Sequence, residues 1–590
     1  MTLLDVVRYF RREWRALIAV VALTTVSAMA DAASVILVVG LADAVSKRSD
    51  HVARSVGPID IDVSTNALVV LAVVSVVASV VMMLLANGIR TRLTATWSTD
   101  RRLALLRAFL DASWSVQSQE RAGRIQTELG YIGMGASLLG SLSGVARGLV
   151  GLVILIGAAV LVNPVAAGGI VVLGLLLFLV LRPLNRAVKR RSRETAQLTG
   201  RVNQDFGELS ELSREIQIFG TAPVFTHRVA APVGALTEAE RRSSTLTAAV
   251  TPIYQGMALV VIVVALGIAT SLGSLDVATL GAVALLVLRS VSYGQQFQSS
   301  LTSIHTATPG LELADQTLER LRAAQTRFGD DTLDRVHTIE LDRVTFRYPN
   351  EEDAALDDVR LRFDGGDIIG VVGPSGAGKS TLAHLLLRLR DPEEGVVAVN
   401  GTPIDRFSVA SWSHAVALVP QEPFLMHGSI HDNIAFLRPE VTRDDVVAAA
   451  IDAGIHDTIQ GLDGGYDAPV GRSVRNLSGG QIQRIGIARA LAGHPSMIVL
   501  DEPTSALDQH SESVIQSTLG NLRHRALVIV IAHRLTTLSI CDRVLVMNGG
   551  RVEAEGPLDE VIAQSPFFRS AVEQLAMSSG ATFGDVPPER

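Results

Sequence analysis

The chain has 590 residues, which exceeds the roughly 100 to 200 residues of a typical domain, so at least two folded units are expected. Hydrophobic residues make up 48% of it and charged residues only 19%, a balance too apolar for an ordinary soluble enzyme. The formal net charge of -7 gives no basis for nucleic-acid binding. The single cysteine, Cys541, excludes a disulfide within this sequence and a cysteine-based zinc cluster.

Long apolar runs are confined to the first part of the chain and predict a membrane domain. A membrane-spanning helix needs about 20 mostly apolar residues. Segments of this kind occur at residues 15–43, 66–88, 136–162, 165–184, 247–271 and 277–308. Because six spans are an even number, the chain returns to the side of the membrane from which it started.

The first span has an alternative interpretation. Three arginines precede an apolar run that ends in Ala-Met-Ala at residues 28–30, as in a secretory signal peptide with its cleavage site. The apolar pattern, however, continues past Ala33 to Val39, and five further spans follow. A first membrane helix is therefore the favoured interpretation.

Basic residues predict the orientation of these spans. They cluster before the first span (Arg8, Arg11, Arg12), after the second (Arg90, Arg92, Arg101, Arg102, Arg107) and after the fourth (Arg182, Arg186, Lys189, Arg190, Arg191, Arg193). The positive-inside rule places these segments in the cytoplasm. We therefore expect a multi-pass protein of the cytoplasmic (inner) membrane, with its N-terminus and its second half in the cytoplasm.

The two inward loops suggest that the spans extend beyond the bilayer. Residues 89–135 and 185–246 are charged and rich in helix-forming residues, and both are far longer than the ~2 to 8 residues that join helices in bundles. We predict a membrane domain with long cytosolic helical extensions at residues 1–310, a linker at 311–335, a second folded domain at 336–575 and a disordered tail at 576–590.

The stretch "IIGVVGPSGAGKSTL" consists of an apolar strand, a glycine-rich loop and the start of a helix, which is the context that a P-loop requires. Its backbone N–H groups are expected to hold phosphates, while Lys379 reaches the β and γ phosphates and Ser380 binds Mg²⁺. The predicted nucleotide-binding residues here are Gly373, Pro374, Ser375, Gly376, Ala377, Gly378, Lys379, Ser380 and Thr381.

Two later strands end in polar residues that suit phosphate chemistry. The strand at the start of "MIVLDEPTSALD" ends in two carboxylates. Asp501 is predicted for the Mg²⁺ shell, and Glu502 is predicted as the base that polarises the attacking water. The strand in "VIVIAHRL" leads to His533, which is expected to place an imidazole near the γ-phosphate. The alternative for His533 is a structural histidine at a strand end.

These motifs, taken in order along the chain, resemble those of a known protein family. Together with Gln421 in "LVPQEPF", "LSGGQ" at 477–481 and "SALD" at 505–508, they resemble the nucleotide-binding domain of ABC transporters. The preceding six spans with long cytosolic extensions resemble the membrane domain of the exporter-type half-transporters of that family. The resemblance covers almost the whole chain and implies a fold of six membrane helices plus an α/β P-loop ATPase domain.

The resemblance also implies ATP and Mg²⁺ as cofactors and a second subunit. Tyr348 in "VTFRYP" looks like the residue that stacks on adenine, and Gln421 like one that serves both the metal and catalysis. In the family, the signature segment of one subunit closes over ATP held by the P-loop of the other. Residues expected there are Ser478, Gly479, Gly480, Gln481 and Asp508. A homodimer is expected, and a heterodimer stays open. The alternative interpretation of the signature segment is a glycine-rich helix start that binds no ligand.

Charges within the spans are the best clue to the substrate. Asp31, Arg147 and Arg289 lie in predicted spans, where an ionisable group is costly and usually faces a cavity. We predict that they line the substrate pathway and that Arg289 meets an anionic group of the substrate, since the last span usually lines the pathway in the resembled family. The alternative is that the arginines are merely solvated.

The leading functional hypothesis is ATP-driven export or flipping of an amphipathic substrate, such as a lipid, a glycolipid or a drug-like molecule. In the resembled family, a membrane part fused ahead of the ATPase usually means export. Two alternatives stay open: an importer on the same scaffold, for example for a siderophore, and a non-transporting ATP-gated regulator or channel. The expected partners are membrane lipids and a second half-transporter subunit, with no nucleic acid.

Overall fold

The protein consists of two compact units, Met1–Ala112 with Val116–Gln325 and Ser113–Ser115 with Thr326–Arg590. The structure, a computed structural model, describes residues 9–47, 51–56, 59–120, 123–162, 164–271, 277–326, 328–349, 351–471, 477–503, 509–532 and 534–579.

The first unit is built from long helices that contain the apolar runs of the sequence. Its helices are α1 (Trp14–Lys47), α2 (Thr65–Asp111), α3 (Trp114–Gln117), α4 (Arg124–Val162), α5 (Pro164–Glu211), α6 (Ser213–Ile218), α7 (Ala222–Ser271) and α8 (Val277–Ala323), preceded by a 3₁₀ turn at Arg11–Glu13. Between α1 and α2, strands β1 (His51–Val56) and β2 (Ile59–Ser64) form an antiparallel hairpin with His51 opposite Ser64.

Within the described residues, Trp14–Val38, Thr65–Asp111 and Arg124–Gly157 are long and apolar enough to cross a membrane. The other predicted spans, 165–184, 247–271 and 277–308, fall within α5, α7 and α8, where many side chains lie outside the described residues. The two long inward loops are helical over most of their length, because α2, α4, α5 and α7 continue well beyond the apolar runs.

The linker predicted at residues 311–335 begins inside a helix. Helix α8 continues to Ala323, and Leu311, Leu318 and Leu321 on this extension are buried. They pack in one apolar cluster with Trp97 of α2. Burial of this face stabilises the extra helical turns, so the irregular segment starts later than the composition indicated.

Helices α4 and α8 approach each other closely along a row of glycines. A Cβ at Gly144 would lie 2.2 Å from Oγ of Ser300, and one at Gly151 would lie 2.3 Å from the ring of Tyr293. Side chains at these positions would therefore push the helices apart. Small residues of this kind permit close backbone approach between membrane helices.

The second unit alternates strands and helices. Its strands are β3 (Thr338–Phe346), β4 (Leu356–Asp364), β5 (Ile368–Val372), β6 (Glu394–Val399), β7 (Thr402–Pro403), β8 (Val416–Val419), β9 (Gly428–Ser429), β10 (Pro469–Val470), β11 (Met497–Asp501), β12 (Leu527–Ile531), β13 (Arg543–Asn548) and β14 (Arg551–Gly556). Short 3₁₀ turns occur at Ile404–Arg406 and Gly465–Asp467.

The helices of this unit are α9 (Lys379–Leu386), α10 (Val409–Ala415), α11 (Ile430–Ala435), α12 (Arg443–Asp452), α13 (His456–Gln460), α14 (Gly479–Leu491), α15 (Gln509–Leu522), α16 (Leu535–Leu538), α17 (Leu558–Gln564) and α18 (Pro566–Ser579). The tail predicted from residue 576 begins inside α18, which continues to Ser579 from an apolar anchor that includes the buried Phe568 and Val572. Residues 580–590 lie outside the described residues.

The central sheet positions the site. Its strand order is β14-β13-β5-β12-β11-β8, in which the last five strands are parallel and β14 is antiparallel. A separate antiparallel sheet has the order β4-β3-β6-β7. Strands β5 and β12 are buried throughout, as expected for a parallel sheet covered on both faces. Ligands of such sheets bind outside the carboxyl ends of the strands.

Candidate nucleotide site

The P-loop connects the end of β5 with the start of α9 at this carboxyl edge. Three of its glycines adopt backbone angles that L side chains rarely adopt, with φ of +153° at Gly373, +78° at Gly376 and +97° at Gly378. A Cβ at Gly373 would lie 2.1 Å from the carbonyl oxygen of Met547, so only glycine lets the loop approach β13 here. Helix α9 then starts with N–H groups that favour an anion.

The Lys379 side chain folds back onto its own loop. Its Nζ donates to the carbonyl oxygens of Gly373, at 2.8 Å, and Pro374, at 2.9 Å. Burial lowers the pKa of this ammonium group, while the charges of Glu502 and Asp501 act in the opposite direction. The lysine therefore lies within electrostatic reach of both carboxylates, and a phosphate would offer it charge-assisted bonds stronger than those to two carbonyls.

Neighbouring strands bring the predicted carboxylates and amide to the same edge. Strand β11 ends at Asp501, and the N–H of Glu502 donates to the carbonyl oxygen of Ile531, at the end of β12, at 3.0 Å. Glu502 has φ of +47°, a left-handed conformation that is unusual for a residue other than glycine. Gln421 follows β8, and its Nε2 donates to Oε2 of Glu502 at 2.6 Å.

The residues predicted to bind magnesium suit that ion chemically. Ser380, Asp501 and Gln421 offer a hydroxyl, a carboxylate and an amide oxygen, the hard oxygen ligands that Mg²⁺ prefers. Because Nε2 of Gln421 is bonded to Glu502, its Oε1 is the atom that suits a cation. Within the described residues, no group of three or more His, Cys, Asp or Glu forms a metal site.

Tyr348, the predicted adenine-stacking residue, lies beside the P-loop helix. It follows β3 by two residues, and its ring is partly exposed. Its hydroxyl shares a hydrogen bond of 3.0 Å with Oγ1 of Thr381 in the first turn of α9. The two residues are 33 positions apart in sequence, so this proximity is a result of the fold.

The predicted signature segment forms the start of α14. The hydroxyl of Ser478 accepts from the N–H of Gln481 at 3.3 Å, and Oε1 of Gln481 accepts from the N–H of Ser478 at 2.8 Å. This reciprocal capping box fixes the helix start. The N–H groups of Gly479 and Gly480 lie in the first turn, where the helix itself offers no acceptor.

Two predicted site residues, His533 and Asp508, lie outside the described residues, so their roles stay predictions. The residue before His533 is bonded to the central sheet: the N–H of Ala532 donates to the carbonyl oxygen of Val371 in β5 at 3.1 Å.

The predicted substrate-pathway charges come together in the first unit. Arg289 of α8 lies 3.7 Å from Oδ1 of Asp31 of α1, and the hydroxyl of Tyr293 donates to the other carboxylate oxygen at 2.9 Å. Arg147 of α4 donates to the sulfur of Met83 at 3.2 Å, and its Nε is buried without a hydrogen-bond partner. Asp31 is therefore shared by Arg289 and Tyr293, whereas the acceptor found for Arg147 among the described residues is the weakly accepting sulfur of Met83.

Sequence reasoning missed two of these neighbours. The sequence does not indicate that Tyr293 bonds to Asp31, or that the guanidinium of Arg390 lies over the Tyr348 ring. Neither contact follows a motif, since each joins residues from distant parts of the chain.

The fold and site define a class: a P-loop ATPase domain that follows a helical membrane domain. Residues 17–294 match the family described as "ABC transporter transmembrane region", and residues 356–505 match the family described as "ABC transporter". The chain belongs to the ABC transporter family and is a membrane protein. The predicted family and fold class are thereby confirmed.

Named relatives share part of the chain. The "Cyclolysin secretion/processing ATP-binding protein CyaB" of Bordetella pertussis is 38% identical over 297 residues, which are 48% of this chain and 42% of that protein. The "Alpha-hemolysin translocation ATP-binding protein HlyB" of Escherichia coli O157:H7 is 39% identical over 237 residues, 40% of this chain and 34% of that protein. The chain thus spans less than half the length of these curated relatives.

A solved structure shares the fold over nearly the full length. It is described as "Structure of a bacterial Atm1-family ABC exporter with ATP bound", and it matches 96% of this chain and 100% of that chain with a TM-score of 0.79. The sequence identity is 23%, so the likeness concerns the fold.

Proposed function

We propose that the chain is one half of a dimeric ATP-driven exporter that moves an amphipathic substrate across the cytoplasmic membrane. The contact between Gln421 and Glu502, within electrostatic reach of the P-loop lysine, carries the proposal. Relatives named for secretion and translocation, and the fold shared with an exporter, support export.

Three side chains perform hydrolysis in this proposal. Lys379 exchanges the carbonyls of its own loop for the β and γ phosphates, which it reaches without leaving the P-loop. Glu502 orients the attacking water and accepts its proton, and Gln421 holds the carboxylate in place. Water adds to the γ-phosphorus, and ADP and phosphate leave. A Mg²⁺ ion held by Ser380, Asp501 and Gln421 would offset the phosphate charge.

The signature segment completes the site of a second subunit in this proposal. The N–H groups of Gly479 and Gly480 at the positive end of α14 suit the γ-phosphate of a nucleotide bound by the other chain. This chain carries one P-loop and one signature, so two chains supply two composite sites. A homodimer is the simplest assembly, because Glu502 and both motifs are intact.

The charge balance of the first unit supports an anionic group on the substrate. Two arginines, Arg147 and Arg289, lie near one aspartate, Asp31, and among the described residues no carboxylate pairs with Arg147. All three lie near the middle of predicted spans, where an unbalanced charge is costly. A phosphate or carboxylate head of an amphiphile would balance Arg147, while apolar helix faces accompany its hydrophobic part.

Vesicle transport tests the direction of movement. Purified protein in sealed vesicles with the ATPase domain outside should accumulate an exported substrate in the lumen when ATP is added. Loss of a preloaded substrate from the lumen would instead favour the importer alternative. ATPase activity that no substrate stimulates, together with ATP-dependent ion conductance, would favour the regulator or channel.

Substrate class requires a screen. ATPase stimulation in liposomes should be compared across anionic lipids, glycolipids, drugs, metal chelates and polypeptides. Polypeptides belong in the screen because the named relatives carry "Cyclolysin secretion" and "Alpha-hemolysin translocation" in their names. Stimulation by an anionic amphiphile, but not by its neutral analogue, would support the proposed substrate.

A further inference from the structure

A guanidinium group lies over the ring that is predicted to bind the adenine. The Cζ atom of Arg390 is 4.6 Å from the centroid of the Tyr348 ring and 5.5 Å from that of Phe346. The two rings themselves meet edge to face at 5.2 Å. Both distances to Arg390 are within the ~6 Å range of cation–π attraction.

Within the described residues, Arg390 has no carboxylate partner. Its Nε is buried without a hydrogen-bond partner, so its side chain is held by the two aromatic rings. The nearby Arg347, adjacent to Tyr348 in sequence, is different: its guanidinium donates to Glu393 at 3.0 Å. Of these two arginines, Arg390 is therefore the one that lacks a carboxylate partner among the described residues.

Two residues of α9 interact with Arg390 or Tyr348: His384 with the former and Thr381 with the latter. Burial, followed by the charge of Arg390, lowers the pKa of the His384 imidazole. The hydroxyl of Tyr348 is held by Thr381 of the same helix. The ring is thus fixed at its hydroxyl by the P-loop helix and on its face by Arg390.

We propose that Arg390 is a nucleotide-positioning residue that holds Tyr348 in place as the platform for the base. This rests on the proposed ATP-binding function of Tyr348. Arg390 acts through the ring and takes no part in the chemical step, so it serves nucleotide affinity and base preference.

The physical reason lies in the charge distribution of the rings. An aromatic ring is negative on its faces, and two such faces repel each other when they stack directly. A cation on one face of Tyr348 draws electron density toward itself and makes the opposite face a better surface for a purine. The cation also restricts the ring, so that less conformational freedom is lost when the base binds.

Steady-state ATPase assays of the full-length protein in liposomes test the proposal. Arg390→Met keeps an unbranched, largely apolar side chain but removes the charge, and it should raise the KM for ATP by roughly three- to tenfold, with kcat within about twofold. Arg390→Lys should recover part of the affinity, because a cation remains. Arg347→Ala, a matched loss of a nearby but paired arginine, should leave the KM close to that of the unaltered protein.

The same substitution made in a Tyr348→Ala protein separates a positioning role of Arg390 from a general effect on stability. In Tyr348→Ala protein the platform is absent, so adding Arg390→Met should change the KM no further. An equal increase in both backgrounds would overturn the proposal, as would an unchanged KM in Arg390→Met protein with Tyr348 present. A lower KM in that variant would also overturn it, because the guanidinium would then compete with the base.

Base dependence provides an independent readout. The effect of Arg390→Met on KM should be larger for ATP than for CTP, whose smaller base stacks over less of the ring. Equal effects on both nucleotides would overturn the positioning role. If Tyr348→Ala alone left the KM for ATP unchanged, the predicted adenine-stacking role of Tyr348 would be wrong. That outcome is distinguishable from failure at Arg390.

Discussion

The side-chain amide of Gln421 donates to the carboxylate of Glu502 at 2.6 Å, joining two residues that are 81 positions apart. They follow adjacent parallel strands, β8 and β11, whose carboxyl ends meet at one edge of the sheet. The contact holds the carboxylate that we assign as the base. It also leaves one amide oxygen of Gln421 for a cation.

The role of Glu502 predicts a separation of binding from hydrolysis. Glu502→Gln keeps the shape of the side chain but removes the base, so ATP hydrolysis should slow by at least ~10²-fold, within the usual range for loss of a general base. Nucleotide binding should persist. Filter binding and phosphate release measured on the same preparation check both expectations, and near-normal turnover would show that another group activates the water.

Composite sites predict complementation between two inactive variants. One variant, Lys379→Ala, has a disabled P-loop. The other variant, Ser478→Arg, has a disabled signature, which it would lend to its partner. A mixed dimer places both lesions in one composite site and leaves the other intact, so ATPase activity should reappear on mixing.

The control for that experiment is verified mixed assembly, for example by two different affinity tags. It also requires dimers known to be active with a single competent site. If such mixed dimers stay inactive, the shared-site arrangement fails, or the chain pairs with a different partner.

The pairing of Asp31 with Arg289 changes which arginine we expect to meet an anionic substrate. Among the residues that the structure describes, Arg147 lacks a carboxylate partner, so Arg147→Gln should abolish the stimulation of ATPase by an anionic amphiphile while basal hydrolysis persists. Arg289→Gln should weaken stimulation less, because Arg289 is already paired. Stimulation by a neutral analogue serves as the control.

Three outcomes would contradict this expectation. If Arg289→Gln abolishes stimulation and Arg147→Gln does not, the original assignment of Arg289 is correct. If basal and stimulated rates fall together in both variants, or neither rate changes, the arginines are structural or solvated.

The close approach of α4 to α8 predicts a packing effect at one glycine. A Cβ at Gly151 would lie 2.3 Å from the ring of Tyr293, so Gly151→Val should lower stability by about 1 to 3 kcal/mol, the usual cost of overpacking. Gly157, on the same helix, has no atom within 4 Å of its added Cβ, so Gly157→Val is the matched control. Thermal unfolding in detergent should separate them, and equal midpoints would argue against the packing.

Local motifs made much of the site predictable from sequence. The P-loop at Gly373–Thr381 follows an apolar strand, and Asp501 ends another, so each was recognisable within a few residues of the chain. A P-loop requires a set spacing because its glycines and its lysine surround one phosphate group. The family and the fold class were predictable for the same reason, since several such motifs occur in order.

Contacts between distant segments could not be predicted in this way. The sequence located Asp31, Arg289, Tyr348 and Gln421, but not which of them are partners. Apolar composition likewise placed the end of the membrane domain near residue 310, whereas buried Leu311 and Leu321 carry α8 on to Ala323.

The sequence by itself determined which residues carry charge, donate hydrogen bonds or span the membrane, because those properties belong to single residues and short runs. Only the tertiary structure decided that Asp31 balances Arg289 rather than Arg147, and that Arg390 lies over Tyr348. Such pairings depend on how helices and strands pack. Electrostatic attraction acts over a few ångströms in space, regardless of separation along the chain.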